Sequence, residues 1–151
     1  MKTGKSCSGA ESGTAIVELV WLAVLLLVPL LYVVLAVFDT QRTAYAAAVA
    51  ARSASRAFVT APDQATGYSR ARLAARLAFL DQGVERPRFA LRITCRPTSG
   101  ACLTPGSVVS AEVSSAAELP LMPRVLGSNT PRINVDAVHQ SPYGRYREAR
   151  P

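Results

Sequence analysis

Glu18 is the first residue of this 151-residue chain that invites a chemical reading. It stands in SGTAIVELVWLAVLLL, where residues 14–17 are already mostly apolar. Its carboxylate therefore interrupts an apolar segment of about 25 residues, long enough to cross a bilayer. A charge at such a place is costly and calls for a partner or a function; the alternative is a residue at the membrane rim, reaching the headgroups. The cysteines come next. Cys95 and Cys102 flank RPTSGA, a turn-like stretch. C-x6-C is not zinc spacing, and the lone His139 is a poor fourth ligand, so no metal site is expected. A disulfide closing a short hairpin is the stronger reading, with two free apolar thiols as the alternative. Such a bridge contributes roughly 2–3 kcal/mol and belongs to an oxidising compartment. Cys7 is no lipoprotein cysteine, because no apolar stretch precedes it.

Catalytic chemistry is sparse. His139 has no Ser or Cys neighbour to activate. Asp81 and Glu85 lie four apart, but Gly83 between them argues against a shared helical face. No Gly-rich phosphate loop occurs, and TGYSR at 66–70 is not a nucleophile elbow. The sequence predicts no catalytic residues, no cofactor and no enzyme. Seven arginines fall within residues 70–96. They suit phosphates, anionic lipid or an acidic wall polymer, or else form a solvated basic face. Without aromatic interleaving or a nucleic-acid motif, no nucleic-acid partner is expected.

The elements that must position these residues follow from composition and period. Half of the chain is apolar and 18% is charged, which argues against disorder. Residues 19–38, LVWLAVLLLVPLLYVVLAVF, carry no charge. At ~1.5 Å per helical residue they span roughly 30 Å, a bilayer's hydrocarbon thickness. A freely soluble enzyme is thereby nearly excluded. Residues 1–13 read as a short polar cytoplasmic leader. They lack the cleavage site of a secretory signal, and the apolar run is too long for a signal core. Flanking charge is near parity, with Lys2 and Lys5 on one side and Arg42, Arg52 and Arg56 on the other. The expected disulfide and the short leader favour a cytoplasmic N-terminus and an extracytoplasmic C-terminal domain. The net charge of +7 is written almost wholly in arginine after the span, a composition typical of a GC-rich genome.

Residues 39–58 are Ala-rich with no Gly or Pro. The transmembrane helix, 14–38, should therefore continue through 39–60, with Pro29 bending it. Thr60-Ala61-Pro62-Asp63 reads as a break, with Thr60 as cap and Pro62 in the first turn of a second helix over 61–82. Gly83 stops it. Leu73, Leu77 and Leu80 form its apolar stripe, and Gly67 weakens its start. The period then becomes two. Strands are expected at about 88–95, 107–115 and 132–140, with LPLMP (119–123) as an extended connector. Residues 141–151 read as a flexible polar tail. The fold class is α+β: a long N-terminal helix and an extracytoplasmic head, 61–140, of one helix and a three-stranded antiparallel sheet.

Gly13 precedes Thr14, and Glu18 is the fifth residue counting from Thr14. This resembles the processing site of type IV pilins and pseudopilins, where a basic leader ends in Gly and a Glu stands at mature position five. More of the chain follows one family. AIVELVWLAVLLLVPLLYVVLAVFDTQRTAYAAAVAARSASRAF, then CRPTSGACLTPGSVVSAEVSSAAELPLMPR and VDAVHQSPYGRYR resemble the TadE-like proteins of the tight-adherence (Flp) pilus assembly system, in the form common in high-GC Gram-positive bacteria. Major Flp pilins commonly carry Tyr after the Glu and are much shorter. Here Leu19 follows, which favours a minor pilin or pseudopilin.

The resemblance implies cleavage at Gly13–Thr14 and a Glu18 that neutralises the new Thr14 ammonium of a neighbouring subunit. It implies other pilin-like subunits, a prepilin peptidase, the Tad membrane assembly platform and membrane lipid as partners. The competing expectation is an unprocessed single-pass membrane protein whose head binds an anionic ligand or wall polymer.

Overall fold

The computed structural model describes residues 12–97, 99–118 and 132–150. Cys7, most of the expected leader and the LPLMP connector lie outside the described residues. The elements are α1 (Ser12–Val59), α2 (Gln64–Asp81), β1 (Phe89–Arg96), β2 (Val108–Glu118) and β3 (Arg132–Pro142). The fold is α+β in the expected order. The chain divides into two compact units, Met1–Val37 and Phe38–Pro151.

The first unit carries the apolar stretch of α1. The helix continues through Pro29. Its large side chains lie bare: Leu19, Trp21, Leu25 and Leu31 are all more than half exposed. Leaving such a side chain in water forgoes about 1.5–3 kcal/mol each. This segment is long and apolar enough to cross a membrane.

In the second unit the rest of α1 pairs with α2 as a hairpin. Phe58 meets Gly67 and Tyr68 near one end, and Arg42 reaches Gln82 at the other, so the helices run antiparallel. The turn between them is held by local hydrogen bonds. The Thr60 hydroxyl donates back to the carbonyls of Arg56 and Ala57, closing α1 rather than capping α2. Asp63 is the N-cap: its carboxylate accepts from the Thr66 amide and hydroxyl, each at 2.8 Å. Those bonds hold the Asp63 carboxyl below its ordinary 3.8, the Thr66 amide contributing most and the Thr66 hydroxyl next. Gly83, with φ +74°, ends α2 as expected; its amide donates to Leu80 and that of Val84 to Phe79.

The buried face of α2 is not the leucine stripe. Gly67, Ala71, Ala75, Ala78 and Phe79 point inward, whereas Leu73, Leu77 and Leu80 are exposed by 58%, 49% and 38%. The reason lies in the facing surface. α1 presents Ala46, Ala47, Ala50, Ala51 and Ala54, all fully buried. Two alanine faces approach closely, and interaxial distance follows side-chain size. Gly67 belongs to the same logic: a Cβ there would stand 3.0 Å from the Phe58 ring. Ala75→Leu should therefore destabilise this unit by about 1–3 kcal/mol, while Leu73→Ser should stay within about 0.5 kcal/mol. Urea unfolding of the full chain in a neutral detergent checks both.

The sheet has the order β1-β2-β3, antiparallel throughout. Leu91 pairs with Val113 and Ile93 with Ala111; Val113 pairs with Ala137 and Ala111 with His139. These odd-numbered positions face the helix hairpin, and Phe79 stacks on Phe89 at 5.3 Å. His139 is half-buried on this inward face. A buried polar chain crosses the core: the Ser141 hydroxyl donates to Ser55 Oγ at 2.9 Å, and Ser55 to the Arg52 carbonyl.

The polar tail is not loose. β3 runs on to Pro142, and Tyr143 is 1% exposed. The Tyr143 amide donates to the Ser107 carbonyl at 2.8 Å. Arg147 donates to the Val59 carbonyl and Arg150 to that of Ala61. Two arginines thus satisfy carbonyls at and just past the end of α1, where cations are favoured. Tyr143, Arg147 and Arg150 of the tail thus serve the fold, whereas Tyr146 is fully exposed.

Candidate functional site

α1 begins at Ser12, so Gly13 and Thr14 lie in its first turn. Thr14 and Glu18 are four residues apart on this helix. Along the axis they are separated by about 6 Å. Glu18 is exposed, and its neighbours Val17 and Leu19 are exposed by 61% and 69%. A carboxylate here is thus flanked by exposed apolar side chains. Further along, the Tyr32 phenolic oxygen is shielded from solvent with no hydrogen-bond partner among the described residues. Such a group gains from a donor or acceptor on an adjacent helix.

Cys95 and Cys102 are joined, with Cα atoms 5.2 Å apart. Both are buried, and Leu103 beside them is fully enclosed. Gln64 donates to the Gly100 carbonyl at 2.8 Å, fastening the Cys-flanked turn beside the start of α2. The Ser107 hydroxyl donates to the Cys102 carbonyl. Closing so short a loop stabilises by about 2.5 kcal/mol on the loop-entropy argument. Reduction should lower the urea midpoint correspondingly; an unchanged midpoint would mean that the turn is held by its hydrogen bonds alone.

The arginines of residues 70–96 do not form one basic face. Arg70, Arg72 and Arg76 project from α2 and are exposed. Arg92 stands opposite Glu112 on the outward face of the sheet. Arg86 and Arg88 join Arg132, from β3, around a cleft of about 380 Å³. Thr43, Val84, Ser115, Ala116 and Ala117 complete its lining. The sequence reading did not single out Thr43 or Arg132. Arg132 reaches the cleft through long-range pairing, in which Phe89 meets Ser115 and Ala117 meets Ile133, and Thr43 comes to it from α1. No local spacing signals that arrangement.

No protein-family model, no curated protein and no solved structure matches this chain.

Proposed function

We propose that this chain is a membrane-anchored minor pilin or pseudopilin that takes part in assembling a Flp/Tad-type pilus. Its N-terminus faces the cytoplasm and its disulfide-closed head lies outside the cell membrane. Its partners are other pilin-like subunits, the prepilin peptidase and the membrane assembly platform. The observation that carries this reading is Glu18: a carboxylate one helical turn after Thr14, exposed on a helix otherwise apolar to residue 38. Cleavage after Gly13 creates an ammonium at Thr14. Side by side in lipid, Glu18 of one subunit offsets that ammonium on the next, because each charge alone is expensive and the pair is less so. Gly13 in the first turn also eases cleavage. Glycine disfavours helix by about 1 kcal/mol relative to alanine, so unwinding the junction for a peptidase costs little.

Glu18→Gln is expected to leave membrane insertion intact, since the span is unchanged and a charge is removed. It is expected to reduce lateral crosslinking to other pilin-like subunits and to reduce piliation. Glu18→Asp keeps the charge but shortens the reach by one methylene, and an intermediate result is expected. Wild-type crosslinking and piliation in the Gln variant would return Glu18 to an ordinary rim residue. It would also favour an unprocessed single-pass protein.

A further inference from the structure

We infer that the exposed face of α2, Leu73, Leu77 and Leu80 with the arginines beside them, docks an amphipathic helix of another protein whose apolar seam is bordered by aspartate or glutamate. The inference is independent of the pilus reading and of how the chain meets a membrane.

The fold leaves these leucines unused. Val49, Phe89 and Leu91 pack partly against the buried core, but the three leucines do not join it. Among the described residues of the second unit they form the one run of three large exposed apolar side chains on successive turns of a helix. Scattered exposed leucines are ordinary, whereas a contiguous apolar ridge marks a contact surface. At roughly 100° per residue the three fall within an arc of about 60°, on the side of α2 opposite the buried Ala71, Ala75 and Ala78. Steps of four and then three residues within so narrow an arc describe the seam between paired helices. A helix that lies on a core carries a broader stripe, about 100° or more. One that lies in a lipid surface needs a wide apolar face as well. A straight ridge about 10 Å long interdigitates with the side chains of a second helix.

Charge selects the partner. Arg72 and Arg76 border the ridge on one side and Arg70 on the other, and all three are exposed. Among the described residues no hydrogen bond or ion pair engages Arg72 or Arg76. Asp81, at the C-terminal end, is the helix's one acid. A second copy of the chain would set three arginines and one aspartate against the same set, which repels. An acidic border on the partner pairs instead with Arg72 and Arg76, as charges beside a helix seam do, and such pairs choose the partner more than they add affinity. Three leucines make a small interface, so the complex belongs to the weak, transient class.

The test uses the full chain in nanodiscs of neutral phosphatidylcholine and a fluorescent synthetic peptide of about three heptads, with Leu at the seam positions and Glu beside them. A second peptide carries Lys in place of Glu, and empty nanodiscs are the blank. Fluorescence anisotropy is expected to show the Glu peptide binding at least about threefold more tightly than the Lys peptide. The double variant Leu73→Ser, Leu77→Ser should weaken Glu-peptide binding at least about tenfold, because the seam loses its apolar burial. Both side chains are exposed, so the fold survives the change. Arg72→Glu with Arg76→Glu should reverse the preference between the two peptides. Equal binding of the two peptides, binding of neither, or a leucine variant that binds like the native chain overturns the inference. Crosslinking of the chain to itself in neutral maltoside, abolished in the leucine variant, overturns it in favour of a second copy. A nitroxide at Leu77→Cys, in a Cys7→Ser chain reconstituted in phosphatidylglycerol bilayers, reads the lipid alternative. It should be open to an aqueous nickel complex; preferential access of oxygen would put this face in lipid and overturn the protein partner.

Discussion

Phe58→Ala is expected to remove about 3–5 kcal/mol from the stability of the second unit, the usual loss for a fully buried aromatic. Phe58 is 0% exposed. It packs edge-on to Tyr68, with ring centroids 5.1 Å apart and planes at 78°. Gly67 lies flat against it. Domains of this size have about 5–15 kcal/mol in total, so the variant loses a large fraction. Its melting temperature, read by circular dichroism of the full chain in neutral detergent, should fall by more than about 10 °C. The neighbouring glycine provides a sharper form of the same claim. Gly67→Ala alone should destabilise, because its Cβ would stand 3.0 Å from Phe58 Cδ2. In the Phe58→Ala background that obstacle is gone, and alanine's helix propensity, worth about 1 kcal/mol over glycine, should make the same change stabilising. A double-mutant cycle in which Gly67→Ala has one sign in both backgrounds would show that the two residues do not meet as described.

Gly67 also marks where sequence reasoning reached its limit. Read alone, it is a defect in a helix; beside Phe58 it lets the ring approach to where a Cβ would stand 3.0 Å away. The strands were legible because Phe89, Leu91, Ile93 and Cys95 repeat with the period of a pleated sheet and the buried face shows that period directly. The direction of α2 was not. A stripe of three leucines is a stronger hydropathy signal than alanines at 71, 75 and 78. Which face is buried, however, is decided by the surface it meets, and that surface is the alanine face of α1, distant in sequence. Tyr143 was hidden for a similar reason. Its segment is polar, and the amide pairing that holds it involves Ser107, which reaches it only once β2 and β3 are in register. The arginine cleft likewise gathers residues of α1, of the segment before β1, and of β2 and β3, which are distant in sequence. By contrast the Cys95–Cys102 bridge was readable, because seven residues of separation across a turn is a local matter.

The second large effect concerns the Gly13–Thr14 junction. Gly13→Leu is expected to block the proposed processing almost completely, so that the leader stays on the chain. A peptidase subsite shaped for glycine has no space for a branched side chain, and the clash acts in the transition state as well as in binding. Helix geometry works in the same direction, because leucine stabilises the first turn that cleavage must unwind. The variant should still insert, since the uncharged run from residue 19 is untouched. Immunoblots of membrane fractions should show one slower band in place of the native one. Equal mobility of the variant and native chains, with a co-expressed peptidase active on another substrate, would mean that Gly13 is not the recognition residue.

The most direct measurement is the intact mass of the chain purified from membranes of cells that contain an active prepilin peptidase. The account predicts a species that begins at Thr14, lacking residues 1–13 and two hydrogens lighter for the Cys95–Cys102 bridge. A chain that begins at Met1 or Lys2 would contradict the pilin reading.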